Sequence, residues 1–173
     1  MSEFQPHKQL AHLRQVYARM ELLRRGEIVT ARAARVSQWS VGEHLAHLSL
    51  ANELAFRNVR SLMAGTGLFV VDSGEPVQQA LAVLESGVFP RGIAQAPRMV
   101  RPPADVAPEL LDQWIDESRA QFEAFEFEAD QIRSATKRIP HQLMGPLSAA
   151  QWLRFAAIHS DHHTRIAEEV AAG

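Results

Sequence analysis

His159 and His163 stand four residues apart inside a helical pattern, so their imidazoles project from one face, one turn above the other. Projected at about 100° per residue, Trp152, Phe155, Ala156, Ile166 and Val170 define an apolar stripe, and both histidines fall in its middle. That spacing is what a divalent metal asks of a single helix. His162 lies toward the edge of the stripe and Asp161 points outward. A lone buried histidine is ordinarily a hydrogen-bonded core residue. Two on one apolar face cost desolvation energy unless both are satisfied, which a shared ion would achieve.

A second pair, His44 and His47, lies on another helical segment. Periodicity places His44 within that segment's apolar stripe and His47 on its flank, so spacing alone leaves the choice open and leans to His44. Of the other histidines, His7 and His12 read as solvated and His141 as a loop hydrogen-bonder. The chain has no cysteine, which excludes disulfides, thiolate ligands and a cysteine nucleophile of its own. Any metal would therefore be held by His, Asp or Glu.

Four long helical patterns must position these residues, and no convincing set of strands accompanies them. The first runs from Pro6 to Arg25, with Leu10, Leu13, Tyr17, Met20 and Arg24 on one face and Gly26 after it. The second starts at a capping box with Ser40 as N-cap and Glu43 three residues on, and ends near Ala64, before Gly65 and Gly67. The third runs from Pro108 to Arg133. The fourth begins at a second capping box, Ser148 to Gln151, and reaches Ala171.

Between the second and third helices, residues 65–107 are rich in Gly and Pro, with one short helix expected from Pro76 to Ser86. So long a connection calls for a reason, and a crossover that lets helices two and three run parallel supplies one. The fold class is therefore all-α, a four-helix bundle. With no internal repeat or second boundary, residues 1–173 read as a single domain.

The chain has 173 residues, 46% of them hydrophobic, and a formal net charge of -2. That is enough for one core, and it argues against a nucleic-acid partner. No apolar run approaches the roughly 20 residues of a membrane span, so no membrane partner is expected. Met1 to Leu10 lacks a basic segment followed by an apolar one, so it does not read as a signal peptide, and the expected location is cytoplasmic.

Two segments resemble the DinB-like superfamily of metal-binding four-helix bundles, which includes the YfiT-type proteins. One is Trp39-Ser40-Val41-Gly42-Glu43-His44-Leu45-Ala46-His47-Leu48, a tryptophan with a His-Leu pair eight residues on. The other is His159-Ser160-Asp161-His162-His163-Thr164-Arg165-Ile166, similar to the family's H-x-x-H-H-x-x-Q-I run. The stretch from His141 to Ser148 further resembles a subgroup with an H-P-x-x-G loop. Arg165 stands where the family usually has glutamine, and Gln142 where the subgroup has proline.

The register of the first match selects His47 over His44, and the second selects His159 and His163. The resemblance thus implies a three-histidine site for one divalent transition metal, nickel or zinc, in an up-down-down-up bundle that forms a homodimer. Three neutral imidazoles would leave at least one coordination position open to water or substrate. Glu43, one turn before His47, is a candidate acceptor orienting that ring, and His162 is a second candidate near the metal.

Some relatives are metal-dependent transferases for low-molecular-weight thiols, and that is the leading expectation here. The bundle mouth and residues 65–107 would recognise a small-molecule electrophile. A metal-dependent hydrolase, with Glu43 or His162 as general base, is the alternative. A non-enzymatic metal-binding or stress-associated module is the third reading.

Overall fold

The structure is a computed structural model that describes residues 4–92 and 95–173, so the reading of Met1–Leu10 falls partly outside it. Among the described residues the chain is mostly helical, with six α-helices and one small sheet. None of these helices is long and apolar enough to cross a membrane.

Helix α1 spans Pro6–Leu23, with Pro6 in its first turn and Leu10, Leu13, Val16, Tyr17, Met20 and Leu23 buried. It stops two residues short of the expected Arg25. Arg24 and Arg25 turn to carboxylates instead: Arg24 donates to Glu21 at 3.1 Å and to Asp116 at 3.0 Å.

Helix α2 spans Val41–Ala64 and carries the expected capping box. The Ser40 hydroxyl accepts from the Glu43 N–H, and the Glu43 carboxylate accepts from the Ser40 N–H at 2.7 Å. Gly65 closes the helix at φ 68°, a left-handed conformation that costs glycine no Cβ clash.

The long connection holds helix α3, Gln78–Ser86, within the range expected for it, and a short 3-10 turn at Arg98–Val100.

The third predicted helix is broken. Helix α4 spans Pro108–Glu123, a 3-10 turn follows at Ala124–Phe127, and helix α5 spans Ala129–Ser134. Ile115 and Phe122 share one face. In an uninterrupted α-helix Phe125 and Ile132 would point about 80° away from it. Tightening to 3-10 geometry turns the chain, and all four side chains end buried. Phe125 packs edge-on against Phe56 of α2 at 5.8 Å between ring centres.

Strands β1, Ile139–His141, and β2, Gly145–Leu147, form an antiparallel hairpin where the sequence was read as a loop. Three residues each, with Pro140 opposite Pro146, show no alternation a sequence pattern could reveal.

Helix α6, Ala149–Ala171, follows directly, begun by the second capping box of Ser148 and Gln151. The Trp152 indole N–H donates to the Ile139 carbonyl at 3.2 Å, fastening the hairpin to the first turn of α6.

Helix α2 packs on α6 and α4, and α1 packs on α6 and touches α4. A continuous apolar core fills the space between them. One chain of buried hydrogen bonds threads all four. Ser160 of α6 donates to Asn52 of α2 at 3.0 Å, Asn52 donates to the Tyr17 hydroxyl of α1 at 3.1 Å, and Tyr17 donates to Ser118 of α4 at 2.8 Å.

Asp161 departs from expectation. It is only 9% exposed and accepts from Arg19 of α1 at 2.5 Å, with Arg165 at 2.9 Å. Arg165 thus joins an ion cluster between α1 and α6. His12 belongs to the margin of that cluster, 4.0 Å from Asp161 and half-buried, not freely solvated.

Candidate metal centre

Packing α2 against α6 brings His47 opposite His159 and His163. One ring nitrogen from each of the three lies within 4.8 Å of the other two. The Nε2 atoms of His47 and His159 are 3.3 Å apart, and the rings of His47 and His163 are 4.5 Å apart between centres. Two nitrogens bound to one tetrahedral zinc at about 2.0–2.1 Å would themselves be about 3.3 Å apart. The observed separation matches an ion seated between them.

The tautomer of His47 is set by its surroundings. Its Nδ1 lies 2.7 Å from the carbonyl oxygen of Val100, which only accepts, so Nδ1 carries the proton and Nε2 keeps a bare lone pair. Val100 sits in the 3-10 turn of the long connection, so that segment closes over the site. A backbone carbonyl leaves no side-chain signal, and sequence reasoning did not find it.

Glu43 does not do this work. Its carboxylate is engaged by the Ser40 N–H and by Arg32 at 2.8 Å. His162 is half-buried, with its ring 5.0 Å from that of His163 and 5.8 Å from that of Phe89.

His44, which periodicity favoured, is also at the site. Its Nδ1 is 3.2 Å from Nδ1 of His163, and its Nε2 is 2.9 Å from the Ser37 hydroxyl. The Trp39 indole covers the group, with ring centres 5.1 Å from His47, 5.2 Å from His44 and 6.0 Å from His163. His141 stands apart, its Nδ1 accepting from the backbone N–H of Leu143 and Met144, as a loop hydrogen-bonder would.

Burial first, and then the neighbouring imidazoles, push His159 and His163 well below the ordinary histidine pKa. Burial likewise lowers His47, and lowers His44 to about 4. At neutral pH the rings are therefore uncharged, and no carboxylate is among the three. The Nδ1 of His159 is buried without a hydrogen-bond partner among the described residues. Crowded neutral nitrogens of this kind are good ligands for a transition-metal dication and poor company for each other.

A cavity of about 790 Å³ opens above the histidines. Trp39, Val83, Phe89, Phe155, Leu143 and Met144 contribute to its mainly apolar wall, and Arg91 and Arg101 add cations. The long connection supplies Val83, Phe89, Arg91 and Arg101, which gives its length a use.

No match appears among curated proteins or among solved structures. The family model of the DinB superfamily matches residues 9–167, a span that takes in α2, most of α6 and all three converging histidines. With that match over nearly the whole chain and a three-histidine cluster that could bind a metal ion, the protein belongs to the DinB superfamily.

Proposed function

We propose that this protein is a metal-dependent transferase that joins a low-molecular-weight thiol to a small apolar electrophile. The observation that carries the reading is the convergence of His47, His159 and His163, all neutral, on the floor of a large, mostly apolar cavity. These three residues would hold the ion, nickel or zinc. When bound there, it supplies a Lewis acid that keeps a thiol ionised at neutral pH.

The chain's own residues do the rest. The Val100 carbonyl holds the His47 ring in its binding orientation, and the apolar wall binds the electrophile and excludes water. The thiol sulfur bonds to the electrophilic carbon as the leaving group departs with its electron pair, and the thiol proton passes to solvent. The sulfur arrives with the cosubstrate, in keeping with a chain that has no cysteine.

Hydrolysis is the weaker alternative, because it needs a general base beside the ion. Of its two candidates, Glu43 is committed to its helix cap and to Arg32, which leaves only His162, half-buried with its ring 5.0 Å from that of His163. A non-enzymatic metal-binding role would leave the apolar cavity without a purpose.

The packing of α1 on α6, α6 on α2 and α2 on α4 supports an up-down-down-up bundle, with the long connection as its crossover. Homodimerisation and a cytoplasmic location complete the reading.

The test is turnover by zinc- or nickel-loaded protein on a panel of small thiols paired with alkyl and aryl electrophiles. Thioether formation that requires both metal and thiol supports the proposal. Metal-dependent hydrolysis without added thiol, or no reaction across the panel, overturns it.

A further inference from the structure

The three histidines of the cluster are not equivalently supported. His47 has a protein acceptor, Val100, that fixes which nitrogen is free. For His163 the group in that position is another imidazole, His44, with the two Nδ1 atoms 3.2 Å apart. On its far side His44 reaches the Ser37 hydroxyl at 2.9 Å, and that hydroxyl also accepts from the backbone N–H of Trp39 at 3.1 Å.

Only two proton arrangements fit a neutral chain of this kind. In one, Ser37 donates to His44 Nε2, and His44 Nδ1–H donates to His163 Nδ1. His163 then carries its proton on Nε2 and has no lone pair left for an ion. In the other, the Ser37 oxygen accepts from His44 Nε2–H, and His44 Nδ1 accepts from His163 Nδ1–H. His163 Nε2 is then bare. A hydroxyl oxygen has two lone pairs, so Ser37 can accept from both Trp39 and His44 in the second arrangement.

We infer that His44 is the positioning residue for His163: its Nδ1 accepts the His163 Nδ1 proton, and this, backed by Ser37, leaves His163 Nε2 free to bind a divalent metal. His44 is not itself a ligand. Its place on α2, three residues before His47, puts both on adjoining parts of one helix surface. One helix thus supplies a ligand and the orienting partner of a ligand on α6. The inference rests on the three-histidine metal site.

The experiment compares full-length wild type, His44→Leu, His44→Asn and Ser37→Ala, with His47→Ala as the loss-of-ligand control. Zn(II) affinity is read by competition with a chromophoric chelator. The visible spectrum of the Co(II)-loaded protein reports ligand geometry. Nitrogen-15 NMR of the imidazoles reports which His163 nitrogen carries the proton, and circular dichroism confirms folding.

The expected outcome is a loss of Zn(II) affinity of about 10- to 100-fold in His44→Leu, with an altered Co(II) spectrum. His44→Asn, whose side-chain oxygen can stand where Nδ1 stood, recovers most of the affinity. Ser37→Ala loses less than His44→Leu. In the loaded wild type the His163 proton is on Nδ1.

Wild-type affinity and spectrum in His44→Leu overturn the inference while leaving the metal site intact. A proton on Nε2 of His163 in the loaded protein overturns it too, as does a folded His44→Asn no better than His44→Leu. If wild type binds no more Zn(II) than His47→Ala, the metal site itself fails, and the inference with it.

Discussion

The Nδ1–H of His47 donates to the carbonyl oxygen of Val100 at 2.7 Å, across fifty-three positions of sequence. A candidate ligand on α2 is thereby tied to the backbone of the connection that covers it. An ion on the opposite nitrogen draws electron density from the ring and strengthens that N–H bond. Adding Zn(II) should therefore slow amide hydrogen exchange in the turn at Arg98–Val100. Unchanged exchange there in fully loaded protein would show the two to be uncoupled.

Removing a ligand should separate binding from folding. His47→Ala, His159→Ala and His163→Ala each delete a nitrogen from a three-nitrogen set, and each should lower zinc or nickel content of the purified protein to near background, with helical circular dichroism retained. His159 gives the sharper case. Its buried Nδ1 has no partner among the described residues, a situation that costs on the order of 1–3 kcal/mol. Metal-free His159→Leu should melt at or above the metal-free wild type, and a clearly lower melting temperature would contradict this account.

The buried chain from Ser160 through Asn52 and Tyr17 to Ser118 makes a prediction about stability alone. Asn52→Ala leaves Ser160 without an acceptor and deprives Tyr17 of a donor, inside a region that excludes water. The cost should be about 2–3 kcal/mol, and Tm should fall by roughly 5–10 °C. Thermal denaturation checks it, and a loss under 1 kcal/mol would mean that water or repacking satisfies the survivors.

The histidines also fix a pH dependence. His44 and His141 are both held at about 4 by burial, against about 6.5 in an unfolded chain. Between those values the unfolded chain binds more protons, so stability is full above about pH 6.5 and is lost as pH falls toward 4. Each proton taken up only on unfolding steepens the loss by about 1.4 kcal/mol per pH unit. His159 and His163 act in the same direction. Urea midpoints of metal-free protein at pH 7.5, 6 and 5 should fall in that order, and a flat series would overturn it.

Much of this was legible in the residues. The capping boxes at Ser40 and Ser148 marked the starts of α2 and α6, because their hydrogen bonds are local. The i, i+4 pair on α6 was legible for the same reason. What escaped depended on distant partners. Asp161 projects outward on a helical wheel, yet Arg19 of another helix covers it. The break after Glu123 follows from the burial of Phe125 and Ile132 against neighbouring helices, which no local rule encodes. The choice between His44 and His47 had no clean answer in periodicity. Both are buried at the site, one near a candidate ion and one behind it.

The bond from the Trp152 indole to Ile139 makes the hairpin and the helix carrying two of the histidines a single body. His141, Leu143 and Met144 on one wall of the cavity cannot shift without dragging two of the three candidate ligands with them. The opposite wall, with Phe89, Arg91, Val100 and Arg101, supplies none of the three candidate ligands; it meets the histidines through the Val100 carbonyl and the edge of the Phe89 ring. Changes in what such a protein accepts would therefore accumulate on that side, where the shape of the chamber can be rewritten without disturbing its floor.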